Sequence, residues 1–512
     1  MKKTELPKIY WMPILAVAAA KLILHLVFIQ NYGFHRDELL YMALGQHPAF
    51  GYWSNPPLLG WLSALVQNTL GGHLWSLRLV PALVMSGVVI LTGLMAREMK
   101  GGRYAQFLAA FIAFFSPAFL RIGHMFMPVS IDIAFWTLYC WLLLRYLNTE
   151  NLKYILYFGA AFGLGMLNKY SVGFFMVPLV VVLLFSQHRD LLWKRSTGLA
   201  ALLALLVFLP NLIWQFANDF PVIIHMTELK STQLVNINIG DFLKDQLLMN
   251  APSMLIWLAG LFYLLFHKAA RGYRVMGWLY LAVVMLFILL KGKSYYTLGM
   301  YPVLMAAGAV FAERLIPWLW LRALLPLLVA GGALPLLPVS LPIIPIEKTA
   351  DYFRWVAEDL GLDGIVRWED GRTYTLPQDY ADMLGWKEIA DLVKKAYDLA
   401  PEKDKLLIYA ENYGQAGAIA HFYPELPDPV SFSDTYRLWT PRQINAHTLI
   451  YVNDELGQDV ADFFGKVTKV GEVNNPISRQ HGDMVFLCEQ PKGDFPEVWA
   501  SRVSEVMGPP KK

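Results

Sequence analysis

Three groups of residues set ionisable side chains against apolar sequence, and each could do chemistry. The first is "YGFHRDELLYM", residues 32–42, where Arg36, Asp37 and Glu38 are consecutive just after a long apolar run. A carboxylate there can act as a general base, taking the proton of an attacking hydroxyl as a new bond forms. It can equally cap a short helix, because acids favour helix N-termini. The second is Asp132, which opens an apolar run after "RIGHMFMPVS". It suits either a first-turn carboxylate or a site shared with nearby Arg121 and His124. The third is a set of cations and phenols: Lys169 in "LNKYS", and Lys291, Lys293, Tyr295 and Tyr296 in "LKGKSYYTLGMYP". Such groups can hold a lipid phosphate through charge-assisted hydrogen bonds. They also make an ordinary aromatic and basic interface belt. Two further pairs are Lys21 with His25, four apart in the first apolar run, and His225 with Glu228, three apart. The former reads as a buried polar pair between helices. The latter spacing permits a shared metal, but two ligands alone do not define a site.

These residues need apolar elements to position them. Of 512 residues, 56% are hydrophobic and 16% charged, against about 25% charged in soluble domains. The chain is therefore a membrane protein. Its net charge of +3 conceals two halves: residues 1–344 carry 25 Lys/Arg and 12 Asp/Glu, and residues 345–512 carry 18 and 28. A basic membrane body precedes an acidic soluble domain. Cys140 and Cys488 are the two cysteines, one in each part, so no disulfide or metal-ligand cluster is expected. Lys2, Lys3 and Lys8 precede an apolar run with no small-residue cleavage site before the charged loop. That run reads as a retained span rather than a signal peptide.

A membrane helix needs roughly 20 apolar residues. Eleven windows qualify as candidate spans: 9–30, 75–96, 104–121, 131–147, 154–167, 171–186, 198–216, 252–267, 275–290, 297–312 and 318–338. Basic residues gather in alternate loops, around Lys8, Arg97, Arg103, Arg145, Arg189, Lys268 and Arg314, which makes those loops cytoplasmic. With an odd number of spans, the acidic domain lies outside the cytoplasm with the Arg36–Asp37–Glu38 loop. Two short amphipathic segments within 37–70 should lie along the outer membrane surface. Pro56 and Pro57 suit the start of the second, with Ser54 or Asn55 as cap. The "LNKYS" loop should dip below the surface and put Lys169 at membrane depth, where an ionisable group is a functional candidate. The tail reads as α/β: helices over "WKEIADLVKKAYDLA" and "QAGAIAHFY", strands in "KLLIYAENYG" and "HTLIYVND", and a polar loop over "EDGRTYTLPQDYADMLGW". No glycine-rich phosphate loop follows either strand, and no nucleic-acid partner is expected.

The ordered series "RDELLY", "GYWSNPPLLGWL", "SID", "GLGMLNKYS", "PNLIWQFANDFP" and "KGKSYYTLGMYP" resembles bacterial family 39-type membrane glycosyltransferases. These are relatives of the protein O-mannosyltransferases and of the lipid A aminoarabinose transferase. The likeness covers roughly residues 8–312 and extends into "ENYGQAGAIAHF". It implies a GT-C fold in the bacterial inner membrane. It also implies an enzyme that moves a sugar from a polyprenyl-phosphate donor to an extracytoplasmic acceptor, inverting the anomeric centre. By that likeness Asp37 is the catalytic carboxylate, with Glu38 beside it, and Asp132 and Lys169 lie near the site. Lys169, Lys291, Lys293, Tyr295 and Tyr296 are the candidates for the donor phosphate. Relatives carry an Asp-His or Glu-Lys type pair before Pro-Pro, whereas this chain has Ser54–Asn55. That departure leaves any role for a divalent metal open. A transporter or flippase for a lipid-linked glycan is the competing class. It should show inverted repeats and polar residues at the bilayer midplane, and no internal repeat is visible.

Overall fold

The computed structural model describes residues 5–508. Lys2 and Lys3, part of the N-terminal charge argument, lie outside the described residues. The chain divides into two compact units.

The first unit runs to Asn31, takes in Asn55–Leu59 and continues over Val66–Ile344. It is helical, and among its described residues seven helices are long and apolar enough to cross a membrane. An eighth forms if Ile239–Leu248 and Ala251–Phe266, bent by 66°, count as one. The eleven-span expectation is not confirmed. The other three windows hold Arg103–Phe114, Lys153–Asn168 and Gly173–Leu184, of 12, 16 and 12 residues. The reason is local in the first case. Ser116 caps a new helix at Pro117, whose ring cannot continue the old one.

Helices Lys153–Asn168 and Arg195–Ala217 touch through Gly159 and Gly163. A Cβ on Gly159 would fall 2.7 Å from Ala200 Cα, and one on Gly163 would fall 2.8 Å from the Ala204 carbonyl. This is small-residue packing, used where lipid gives no hydrophobic drive between helices. Helix Pro128–Thr149, which carries Asp132, is anchored by aromatic contacts. Trp136 meets Phe175 at 5.1 Å between ring centroids, and Tyr139 meets the same ring at 5.3 Å. At the far end of that helix, Arg145 reaches the buried Glu98 at 3.1 Å, and Arg97 reaches it at 2.9 Å. Lys21 and His25 are buried in helix Trp11–Phe28, and Lys21 Nζ donates to the Phe114 carbonyl at 3.5 Å.

The second unit comprises Tyr32–Ser54, Gly60–Leu65 and Pro345–Lys512. Its centre is a four-stranded sheet of β1 (Leu406–Ala410), β2 (Thr448–Asn453), β3 (Phe464–Glu472) and β4 (Met484–Pro491), in the order β1-β2-β4-β3. β1 and β2 are parallel, and β4 runs antiparallel to β2 and β3. The expected strands correspond to β1 and β2, and the expected helices to Trp386–Leu399 and Tyr413–Phe422. β3 and β4 complete the sheet beyond that expectation. In the expected polar loop, Tyr374 stacks on Trp368, just before the loop, at 3.7 Å, and Gln378–Ala381 forms a short helix.

Helix Arg36–Gln46 belongs to this unit and is not one-faced. Glu38 to Gly45 are all buried. Glu38 and Tyr41 on its polar side are covered as well, and helix Tyr413–Phe422 approaches it closely at Leu39 through Gly417. A Cβ there would lie 2.9 Å from Leu39 Cβ. The next helix, Leu58–Leu70, starts after Pro57 with no side-chain cap. Ser54 instead donates to Asp434 at 2.9 Å. Between the two helices, Tyr52 donates to the Leu44 carbonyl at 2.9 Å, and Trp61 Nε1 donates to Ala49 at 2.8 Å.

Candidate active site

Two clusters contain the candidate residues, one in each unit. In the second unit, the start of helix Arg36–Gln46 is set by a reciprocal capping box. His35 Nδ1 accepts from the Asp37 N–H at 3.0 Å, and Glu38 Oε2 accepts from the His35 N–H at 2.9 Å. Two orphan donors of the helix end are thereby satisfied. Since Nδ1 accepts, the imidazole proton sits on Nε2, which faces Asp382 at 3.8 Å. Burial pushes the Asp382 carboxyl up, while Arg479 at 3.2 Å opposes the shift.

The cap separates the two neighbouring acids. Glu38 is fully buried and turned back to the backbone. Asp37 is half-buried, and its Oδ1 accepts from the Tyr413 hydroxyl at 2.7 Å. Burial, reinforced by the Asp37 charge, holds the Tyr413 phenol well above its usual range, so it stays protonated and donating. The Arg36 guanidinium lies over the Tyr413 ring, 4.4 Å from its centroid. Tyr413 is itself the first residue of a helix capped by Asn412, whose side chain accepts from Gly414 and Gln415 at 3.0 and 3.1 Å. Gln415 then donates to Asp483 at 2.6 Å, and burial pushes the Asp483 carboxyl up to about 6.

In the first unit, Asp132 and Lys169 come together. Lys169 acts electrostatically on Asp132, and Ser171 donates to the same carboxylate at 3.4 Å. The Lys169 ammonium lies 5.3 Å from the Tyr295 ring and 5.0 Å from the Tyr296 ring, a cation–π arrangement. Its backbone is extended at the break between helix Lys153–Asn168 and the turn Tyr170–Val172. Lys293 donates to Gln233 at 2.7 Å, and Ser294 donates to Asp245 at 2.7 Å. Lys291 is exposed and left-handed, with φ of 51°, in the turn that closes helix Arg274–Leu289. His124 turns elsewhere. It is buried with Arg78, whose guanidinium is 3.0 Å from Nε2. Among the described residues no three His, Cys, Asp or Glu converge on a metal position, and His225 with Glu228 on helix Pro221–Thr232 gains no third ligand.

Sequence reasoning missed Tyr413, Arg36 as its partner, and the pairing of buried Asp382 with half-exposed Arg479. "ENYGQ" does carry a capping-box signal in Asn412 and Gln415, which marks Tyr413 as a helix's first residue.

A family profile described as dolichyl-phosphate-mannose-protein mannosyltransferase matches residues 54–214. The chain is 24% identical over 329 residues to the lipid A galacturonosyltransferase RgtD of Rhizobium johnstonii. It is 27% identical over 188 residues to the lipopolysaccharide core galacturonosyltransferase RgtB of the same organism. These matches cover 60% and 35% of this chain, and 66% and 36% of those relatives' lengths. The fold is similar to that of ArnT from Cupriavidus metallidurans bound to undecaprenyl phosphate. The TM-score is 0.60 at 16% identity, over 93% of this chain and 97% of that one. The resemblance to membrane glycosyltransferases read from the motifs is borne out, and the fold is of the GT-C type. The chain is a multi-pass membrane protein.

Proposed function

We propose that this protein is an inverting glycosyltransferase of the bacterial inner membrane, taking its sugar from a polyprenyl-phosphate donor. The observation that carries the reading is Asp37, a half-buried carboxylate with one oxygen held by Tyr413. No further hydrogen bond to its side chain occurs among the described residues. In the reaction, an acceptor hydroxyl attacks the anomeric carbon. Its proton passes to Asp37 as the new C–O bond forms. The bond from carbon to the phosphate oxygen breaks, and the electron pair leaves on the lipid-borne phosphate. Lys169, beside the Tyr295 and Tyr296 rings, is the first candidate cation for that phosphate. Asp132 keeps that ammonium oriented. Lys291 and Lys293, with Tyr295 and Tyr296, remain donor-phosphate candidates. Glu38 shapes the loop rather than taking the proton.

Two further parts of the reading rest on the loop charges. Residues 345–512 form a soluble domain outside the cytoplasm, and the acceptor is met on that side. The named relatives are transferases acting on lipid A or lipopolysaccharide core, and none is a transporter. They make polyprenyl-phosphate-linked galacturonic acid and lipid A the first donor and acceptor to try.

The test is a transfer assay with the purified protein in detergent, using that donor and lipid A. Envelope lipids of cells with and without the gene, compared by mass spectrometry, identify a different sugar if one is used. Asp37→Asn should bind donor yet turn over about 10²–10⁴-fold more slowly. Lys169→Met should weaken donor binding. Near-normal turnover by Asp37→Asn would end the base assignment.

A further inference from the structure

We propose that Tyr413 is a positioning residue for Asp37: its hydroxyl holds one carboxylate oxygen so that the other faces the acceptor, with Arg36 bracing the phenol ring. The inference rests on Asp37 being the base.

The geometry supports a positioning device in four ways. The contact is short, at 2.7 Å, and joins a neutral phenol to a carboxylate, a charge-assisted bond stronger than a neutral pair. Both partners sit at the first turn of a capped helix. Asp37 is the second residue of Arg36–Gln46, and Tyr413 is the first of Tyr413–Phe422. Each backbone is thus fixed by its own capping box before the side chains meet. The ring is held as well, because Arg36 covers its face at 4.4 Å. Room for Arg36 exists only because residue 414 is glycine. A Cβ there would lie 2.7 Å from Arg36 Cγ and 2.6 Å from the Trp386 ring.

A carboxylate free to rotate offers either oxygen in many directions. Pinning Oδ1 leaves Oδ2 with a defined direction, which is what a general base needs for in-line proton transfer. Tyr413 itself does not react, because burial keeps its phenol protonated. The carboxylates of Asp37, Asp382 and Glu369 act on the Arg36 guanidinium electrostatically and favour its charged form.

The experiment is a double-mutant cycle on the full-length protein, with undecaprenyl-phosphate galacturonic acid as donor and lipid A as acceptor. If envelope analysis identifies another sugar, its polyprenyl-phosphate form replaces that donor. Tyr413→Phe keeps the ring beneath Arg36 and removes only the hydroxyl. It should lower kcat about 10- to 100-fold, as loss of a hydrogen bond to a charged group does, with KM for the donor unchanged. In the Asp37→Asn background the same change should cost less than about two-fold, because the bond acts only through the carboxylate. Arg36→Gln, which leaves the phenol in place, should cost several-fold in kcat and should also be silent with Asp37→Asn. It carries the cycle if Tyr413→Phe does not fold. Equal losses in both backgrounds, or a change confined to KM, would overturn the positioning role. A fully active Asp37→Asn would overturn the base assignment instead.

Discussion

Asp37 and Glu38 are neighbours in sequence and opposites in structure. The acids were legible in the sequence, so was the choice between capping and chemistry, and the family resemblance pointed to Asp37 as the catalytic carboxylate; that Glu38 is the capping acid was not. Helix register sets the two apart: the third helical position folds back onto the His35 N–H, and the second points to Tyr413. Tyr413 lies 376 positions away, beyond any local pattern. Further along the same network, Asp483 supplies a pH signature. Its folded pKa is raised by burial to about 6, while an unfolded aspartate titrates near 3.9. Between about pH 4 and 6 the folded state therefore binds more protons than the unfolded one. Stability contributed by the protonated form is complete below about pH 4 and lost as pH rises through about 6. Asp483→Asn cannot titrate, so its thermal midpoint should fall less than the parent's between pH 4 and 6.5. Asp382 and Glu411, also raised by burial, contribute to the fall that remains. An identical fall in both proteins would show that Asp483 does not titrate in this window.

At the level of elements, apolar windows located the membrane helices, while the count of eleven spans is not confirmed. Composition sees length of apolar run, whereas Ser116 and Pro117 cut one such run into two helices. Strand β3, "FGKVTKVGE", escaped notice because its lysines point outward from a mostly exposed face. Strand β4, "MVFLCEQP", is too short an apolar run to distinguish from a buried helix. The Lys153–Asn168 and Arg195–Ala217 pair depends on the backbone approach at Gly159. Gly159→Leu should force these helices apart and lower stability by about 1–3 kcal/mol or more, as overpacking does. Gly173→Ala, where nothing lies within 4 Å, is the matched control. Thermal melts in one detergent compare them. If both melt together, the glycine contact contributes nothing.

For the whole molecule, the charge asymmetry about residue 344 marked the acidic tail, but not that residues 32–54 and 60–65 join it in one compact unit. That grouping is built from contacts hundreds of residues apart, which no composition window samples. Sidedness is tested by fusion. A reporter active only in the periplasm, attached after residue 512, should be active; activity from a cytoplasmic reporter alone would reverse the topology. The long reach from Asp37 to Tyr413 also has a consequence in time. A ribosome adding about 5–20 residues per second needs roughly 20–75 s to cover those 376 positions. During that interval the Arg36–Gln46 helix has been made and its clamp has not. A nascent chain, or one cut short before residue 413, therefore carries Asp37 without its Tyr413 partner. On the proposed positioning role of Tyr413, full competence would then come only near the end of the protein's own synthesis, and incomplete copies in the membrane would draw on a lipid-linked sugar only slowly.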